Sequence, residues 1–163
     1  LVVDLQDIGA RIYTYIYTMA NCMRAAARHG VRVVVCDRPN PIGGAVEGAT
    51  LRPDWESFVG QFPIPMRHGM TIGELARLFN DAFGIGADLE VVPMVGWQRG
   101  QYADETGLPW RNPSPNMRSL AAAALYPGGY GYTLLETYGV WLLVVAIMYP
   151  LVKLRDQRSN TPS

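Results

Sequence analysis

The sequence predicts an α/β fold, a mostly parallel sheet with helices packed on it. Two observations carry this. Apolar runs of strand length, rich in β-branched residues, recur at Leu1–Leu5, Val31–Cys36 and Leu89–Met94. Helix-periodic segments fall between them, which is the alternation a parallel sheet requires.

Leu1–Leu5 is a short apolar run with an acid near its end, a pattern that suits a buried parallel strand better than an alternating surface strand. Gly9 breaks it. From Thr14 to His29 the apolar spacing becomes helical, through Tyr15, Met19, Cys22, Met23 and Ala26, and Gly30 reads as the C′ stop. Val31–Cys36 completes a strand–helix–strand unit. Two prolines and two glycines make Asp37–Gly44 a loop, and irregular sequence runs on to Gly69. Thr71 and Glu74 form a capping box, followed by an apolar stripe at Leu75, Leu78, Phe79 and Ala82. Leu89–Met94 is the third strand. Gly96–Asn116 is loop-like, and Met117–Leu125 suits a short Ala-rich helix.

The 163 residues suit one domain, and 49% hydrophobic with 17% charged residues excludes disorder. A formal net charge of zero argues against a nucleic-acid partner, which calls for a basic surplus. Cys22 and Cys36 form no metal-like cluster and read as buried apolar residues. No phosphate loop, dinucleotide fingerprint, zinc-protease or nucleophile-elbow motif is present. The chain opens on a strand with no initiator Met or signal peptide. The expectation is therefore that an N-terminal portion, and any targeting signal with it, lies outside this sequence.

Open α/β sheets bind ligands beyond the carboxyl ends of their strands. The polar residues gather there: Asp4 and Asp7 after the first strand, Asp37–Asn40 after the second, and Trp97–Arg99 after the third. Asp4, Gln6, Asp7 and Arg11 put two carboxylates, an amide and a cation in one short stretch. Paired carboxylates suit glycoside hydrolysis, although Asp7 can equally cap a turn and Arg11 pair with an acid. In Asp37-Arg38-Pro39-Asn40-Pro41 the prolines hold the intervening side chains in place; a structural turn with an internal Asp–Arg pair is the plainer reading. Glu47 stands beside glycines. Arg67 and His68 precede a helix N-terminus, a natural anion site. Trp97 and Trp110 place aromatic faces in loops, where they can stack on sugars or fill a core. Asn116 can be a ligand contact or a simple N-cap.

Seven blocks, VDLQDIGARIYTYIYTM, DRPNPIGGAVEG, SFVGQFPIPMRHGMTIGELARLFN, MVGWQR, TGLPW, PSPNM and LYPG, occur in this order. Together they resemble the bacterial exo-β-N-acetylmuramidases of the NamZ/YbbC type, over about residues 1–127. The resemblance implies a Rossmann-like catalytic domain, here incomplete at both ends, followed in the family by a smaller second domain. It implies hydrolysis of the β-1,4 bond at a non-reducing-end N-acetylmuramic acid in peptidoglycan fragments, with no nucleotide, other cofactor or metal. It also suggests a cell-envelope or secreted location. Asp4, Asp7, Asp37 and Glu47 are the catalytic candidates, with acid and base roles and stereochemistry left open. Arg11, Arg38, Asn40, Arg67, His68, Trp97 and Asn116 are the candidates for holding the sugar, its N-acetyl group and its lactyl carboxylate. The family carries a Pro-Glu-His-Gly segment upstream of this strand, and its Glu is a leading catalytic candidate. This chain does not contain it, so it is expected to be inactive by itself. The alternative, from a different class, is a non-catalytic sugar-binding or membrane-associated fragment with the sheet as scaffold.

Residues 128–163 depart from the family. The uncharged run Tyr138–Val152 has aromatics near its ends and Lys153, Arg155 and Arg158 beyond one of them. This is the layout of a membrane-contacting helix at about 134–152. It falls short of the ~20 residues needed to span and contains Pro150. An unrelated apolar tail is the favoured expectation.

Overall fold

The structure, a computed structural model, describes residues 1–111 and 113. Three strands, β1 (Val2–Val3), β2 (Val33–Cys36) and β3 (Leu89–Val92), form one sheet in the order β1-β2-β3. Both pairings are parallel, Val2 opposite Val34 and Val34 opposite Glu90. Helix α1 (Tyr15–Arg28) joins β1 to β2, helix α2 (Ile72–Asp81) lies between β2 and β3, and a 3-10 turn, η1 (Ala103–Thr106), follows β3. The three expected strands, the two expected helices between them and the parallel order are present. β1 is shorter than the apolar run that announces it because Asp4 leaves the ladder and turns its carboxylate to Arg38.

β2 alternates in burial along its length. Val33 and Val35 are fully buried while Val34 and Cys36 are half-buried. The buried face meets the helices. α1 buries Ile16, Tyr17, Met19, Ala20, Met23 and Ala26, a stripe rotated slightly from the expected one, with Tyr15 and Cys22 half-buried at its margin. α2 buries Ile72, Leu75, Ala76 and Phe79. Phe62, delivered by the long loop, stacks on Phe79 at 4.2 Å and Phe83 at 4.9 Å between ring centroids. Offset stacking adds about 1 kcal/mol to what burial alone contributes. Tyr17 is buried with its hydroxyl donating to the Arg11 carbonyl at 2.6 Å, and burial pushes its pKa up to about 12.

The capping box on α2 is present. Thr71 accepts from the Glu74 backbone N–H, and Glu74 accepts from that of Thr71. Gly30 adopts the left-handed conformation expected of a helix stop, at φ 64°. The expected helix at 117–125, Asn116 and the tail 128–163 with its apolar stretch lie outside the described residues. Among the described residues no helix is long and apolar enough to cross a membrane.

Candidate functional site

The parallel arrangement sends the carboxyl ends of β1, β2 and β3 to one edge of the sheet, and the loops leaving them wall a groove. Asp4, Asp37, Arg38 and Trp97, all expected at the site, line one cavity of about 440 Å³ together with Cys36, Gln101 and Glu105. A second cavity of about 350 Å³ adjoins it across Arg38, Pro39, Thr106 and Leu108, and adds Gln6, Trp110 and Arg111.

Each carboxylate in the first cavity is engaged differently. Arg38 grips Asp4 with both prongs of its guanidinium, Nε at 2.5 Å and Nη2 at 2.8 Å. This fork is the strong geometry for an arginine–carboxylate pair. The hydrogen bond from Arg38 holds the Asp4 carboxyl below its usual range, and the Arg38 pKa is raised in turn. Asp37 accepts at Oδ1 from the backbone N–H groups of Arg38 at 3.0 Å and Gly73 at 2.8 Å, so it caps the start of α2. That leaves Oδ2 without any of these bonds. Gly73 is required here, because a Cβ would lie 2.7 Å from the Asp37 carboxyl carbon. Glu105 accepts from the Tyr102 N–H at 2.7 Å, which closes η1.

Trp97 is held from behind. The Arg99 guanidinium lies 5.8 Å from its ring centroid, donates to the Gly69 carbonyl at 2.8 Å, and pairs with Glu74. The Arg99 carbonyl accepts from Gly44 N–H at 2.6 Å. Arg99 thus ties the loop after β3 to the start of α2 and to the loop after β2. The indole N–H of Trp97 is buried with no hydrogen-bond partner among the described residues.

The remaining candidates are not brought into the groove. Asp7, Asn40 and His68 are 4%, 1% and 1% exposed. His68 Nδ1 accepts from Met70 N–H, so its Nε2–H faces Asp7 Oδ2 at 3.0 Å, where Gly9 N–H also donates. Asn40 accepts from Ile42 N–H and donates to the Met70 carbonyl. Arg11 donates to the carbonyls of Ala49 and Ile64, both at 2.9 Å. Glu47 and Arg67 pair backbone to backbone, and their side chains meet at 3.3 Å. Arg67 also donates to the Ile42 carbonyl and to Tyr102 Oη. These side chains fasten the long loop 40–69 onto the domain, and none of them lines either cavity.

Sequence reasoning missed Glu105, Gln101 and Arg111 as residues that line these cavities. Their signal was position, since all lie in the loop that follows β3, the same reasoning that marked Trp97.

The family described as exo-β-N-acetylmuramidase NamZ, N-terminal, matches residues 1–121. The chain is 55% identical over 128 residues to the peptidoglycan β-N-acetylmuramidase NamZ of Bacillus subtilis (strain 168), covering 78% of this chain and 31% of that protein. Two crystal structures of DUF1343 family proteins from Bacteroides fragilis NCTC 9343 are also similar. One superimposes with a TM-score of 0.73 at 43% identity, covering 77% of this chain and 34% of its own. The other gives 0.70 at 37% identity, covering 78% and 36%. The chain spans about a third of the length of each relative. With its three-stranded parallel sheet, and a family match over residues 1–121, the chain belongs to the exo-β-N-acetylmuramidase NamZ family through that family's N-terminal part.

Proposed function

We propose that the whole protein is a glycoside hydrolase that removes β-1,4-linked N-acetylmuramic acid from the non-reducing end of peptidoglycan fragments. This chain contributes the sugar-binding groove and part of the catalytic machinery. The observation that carries the reading is the cavity at the strand ends lined by Asp4, Asp37, Arg38 and Trp97, in a chain 55% identical to the B. subtilis muramidase. Trp97 supplies an aromatic face for the sugar ring, and carboxylates beside it suit oxocarbenium-like chemistry. Of the four catalytic candidates, Asp37 has the strongest case because it lines the cavity with one oxygen outside its capping bonds. Asp4 is compensated by Arg38, Asp7 is buried against His68, and Glu47 lies off the groove.

Those engagements also favour a second reading, in which the 163-residue chain alone binds the sugar without turning it over. Both readings expect residues 1–127 to carry the muramidase-type domain, and 128–163 to be an unrelated apolar tail that can be removed without loss of sugar binding. The test is hydrolysis of a chromogenic β-N-acetylmuramide, with the B. subtilis relative as the positive control. Binding by this chain with very weak or no turnover is the expected result. Absence of binding to any muramic-acid sugar would refute both readings.

A further inference from the structure

We propose that the second cavity is the subsite for the anionic lactyl substituent that distinguishes muramic acid from glucosamine, with Arg111 as its cation; this rests on the glycosidase reading above. The two cavities share Arg38, Pro39, Thr106 and Leu108 as lining residues, yet their charge differs. The first carries Asp4, Asp37 and Glu105, so a carboxylate there meets like charge. Among the described residues the second is lined by no Asp or Glu, and it carries Arg38 and Arg111 together with Trp110. Among the described residues, a ring seated at Trp97 therefore finds the more favourable potential for an anionic arm toward Arg111.

The cations can be ranked by their engagements. Arg11 and Arg67 donate to backbone carbonyls and line neither cavity. Arg99 is paired with Glu74. Arg38 lines both cavities, but its fork is occupied by Asp4. Arg111 is exposed, and among the described residues no carboxylate pairs with it. Its guanidinium can therefore take a carboxylate in the bidentate geometry that arginine favours. Gln6 directs its amide N–H groups to the carbonyls of Asp7 and Pro39, so these donors are already engaged and Arg111 is left as the donor to a carboxylate on that wall. A cavity of about 350 Å³ has room for a three-carbon acid and the edge of the ring that bears it.

The test is titration of this chain with three ligands: N-acetylmuramic acid, its lactyl methyl ester, and N-acetylglucosamine. Binding is followed by tryptophan fluorescence and calorimetry. The free acid should bind about tenfold more tightly than either uncharged sugar, in keeping with a charge-assisted pair, and added salt should erode that preference. Arg111→Gln should bring the three affinities within about twofold of one another, and Arg111→Lys should restore most of the preference. An undiminished preference in a folded Arg111→Gln protein would overturn the subsite while the sugar-binding reading stands. Equal binding of all three ligands by the unmodified chain would do the same. Failure of the unmodified chain to bind any of the three would overturn the glycan reading, and the subsite with it.

Discussion

The ring Nε2 of His68 lies 3.0 Å from Oδ2 of Asp7, and both side chains are buried. The same carboxylate oxygen accepts from Gly9 N–H at 2.8 Å, so Asp7 joins the turn after β1 to the turn before α2. Replacing Asp7 by Ala strands two buried donors, which should cost about 3 kcal/mol in urea unfolding. Asp7→Asn keeps an acceptor at that position and should cost under about 1 kcal/mol. Equal effects of the two substitutions would mean that the pair does not hold the loops.

Two glycines test the loop packing. Gly69 has φ 65°, and a Cβ there would lie 2.5 Å from the Gly44 carbonyl oxygen. Gly84 has φ 70° with open space around it. Gly84→Ala should lose only the conformational cost of the left-handed region, about 1–2 kcal/mol. Gly69→Ala adds a backbone collision and should destabilise by at least about 1 kcal/mol more. Thermal melts of the two variants side by side decide this.

Acid should release the Asp4–Arg38 fork. The folded pKa of Asp4 is depressed below 3.8 by its hydrogen bond from Arg38. The pair's contribution is therefore present in full above that unfolded value, and is lost as pH falls through the lower folded one. Asp4 is half exposed, so the contribution is small, under about 1 kcal/mol. Carboxyl-carbon NMR should show Asp4 titrating below 3.8 in the unmodified chain and moving upward in Arg38→Gln. A midpoint unaffected by Arg38→Gln would contradict the assignment.

Asp37→Asn separates capping from chemistry. The amide oxygen can still accept from Gly73 and Arg38, so the melting temperature should stay within about 2 °C. Turnover by the family enzyme carrying this change at the matching aspartate should fall at least about a hundredfold if the side chain serves the reaction. Loss of stability without loss of turnover would make Asp37 a cap alone.

The fold was largely legible because periodicity reports burial. β-branched runs marked the strands, and Thr71–Glu74 announced its helix through local hydrogen bonding. The site was legible only in part. Position after a strand picked out Asp4, Asp37, Arg38 and Trp97, which line one cavity because the parallel sheet sends those strand ends to one edge. The same rule could not separate Asp7 and Asn40 from them, and position before a helix start likewise did not show that His68 is buried. A polar side chain turned into a buried loop network and one turned into a groove have the same sequence signature, and the distinction depends on contacts more than thirty residues apart, such as Asp7 with His68. Arg111 shares with Trp97 its position in the loop after β3, but no motif sets a lone arginine there apart from its neighbours.

The most direct test of the central claim is to map N-acetylmuramic acid onto the isotope-labelled chain by NMR. The groove account predicts shifts at Arg38, Gly96, the Trp97 indole and Arg111, with little change at Arg11 or along α1. Shifts centred instead on the hollow lined by Arg24, Arg28 and Phe83, or spread without focus, would contradict it.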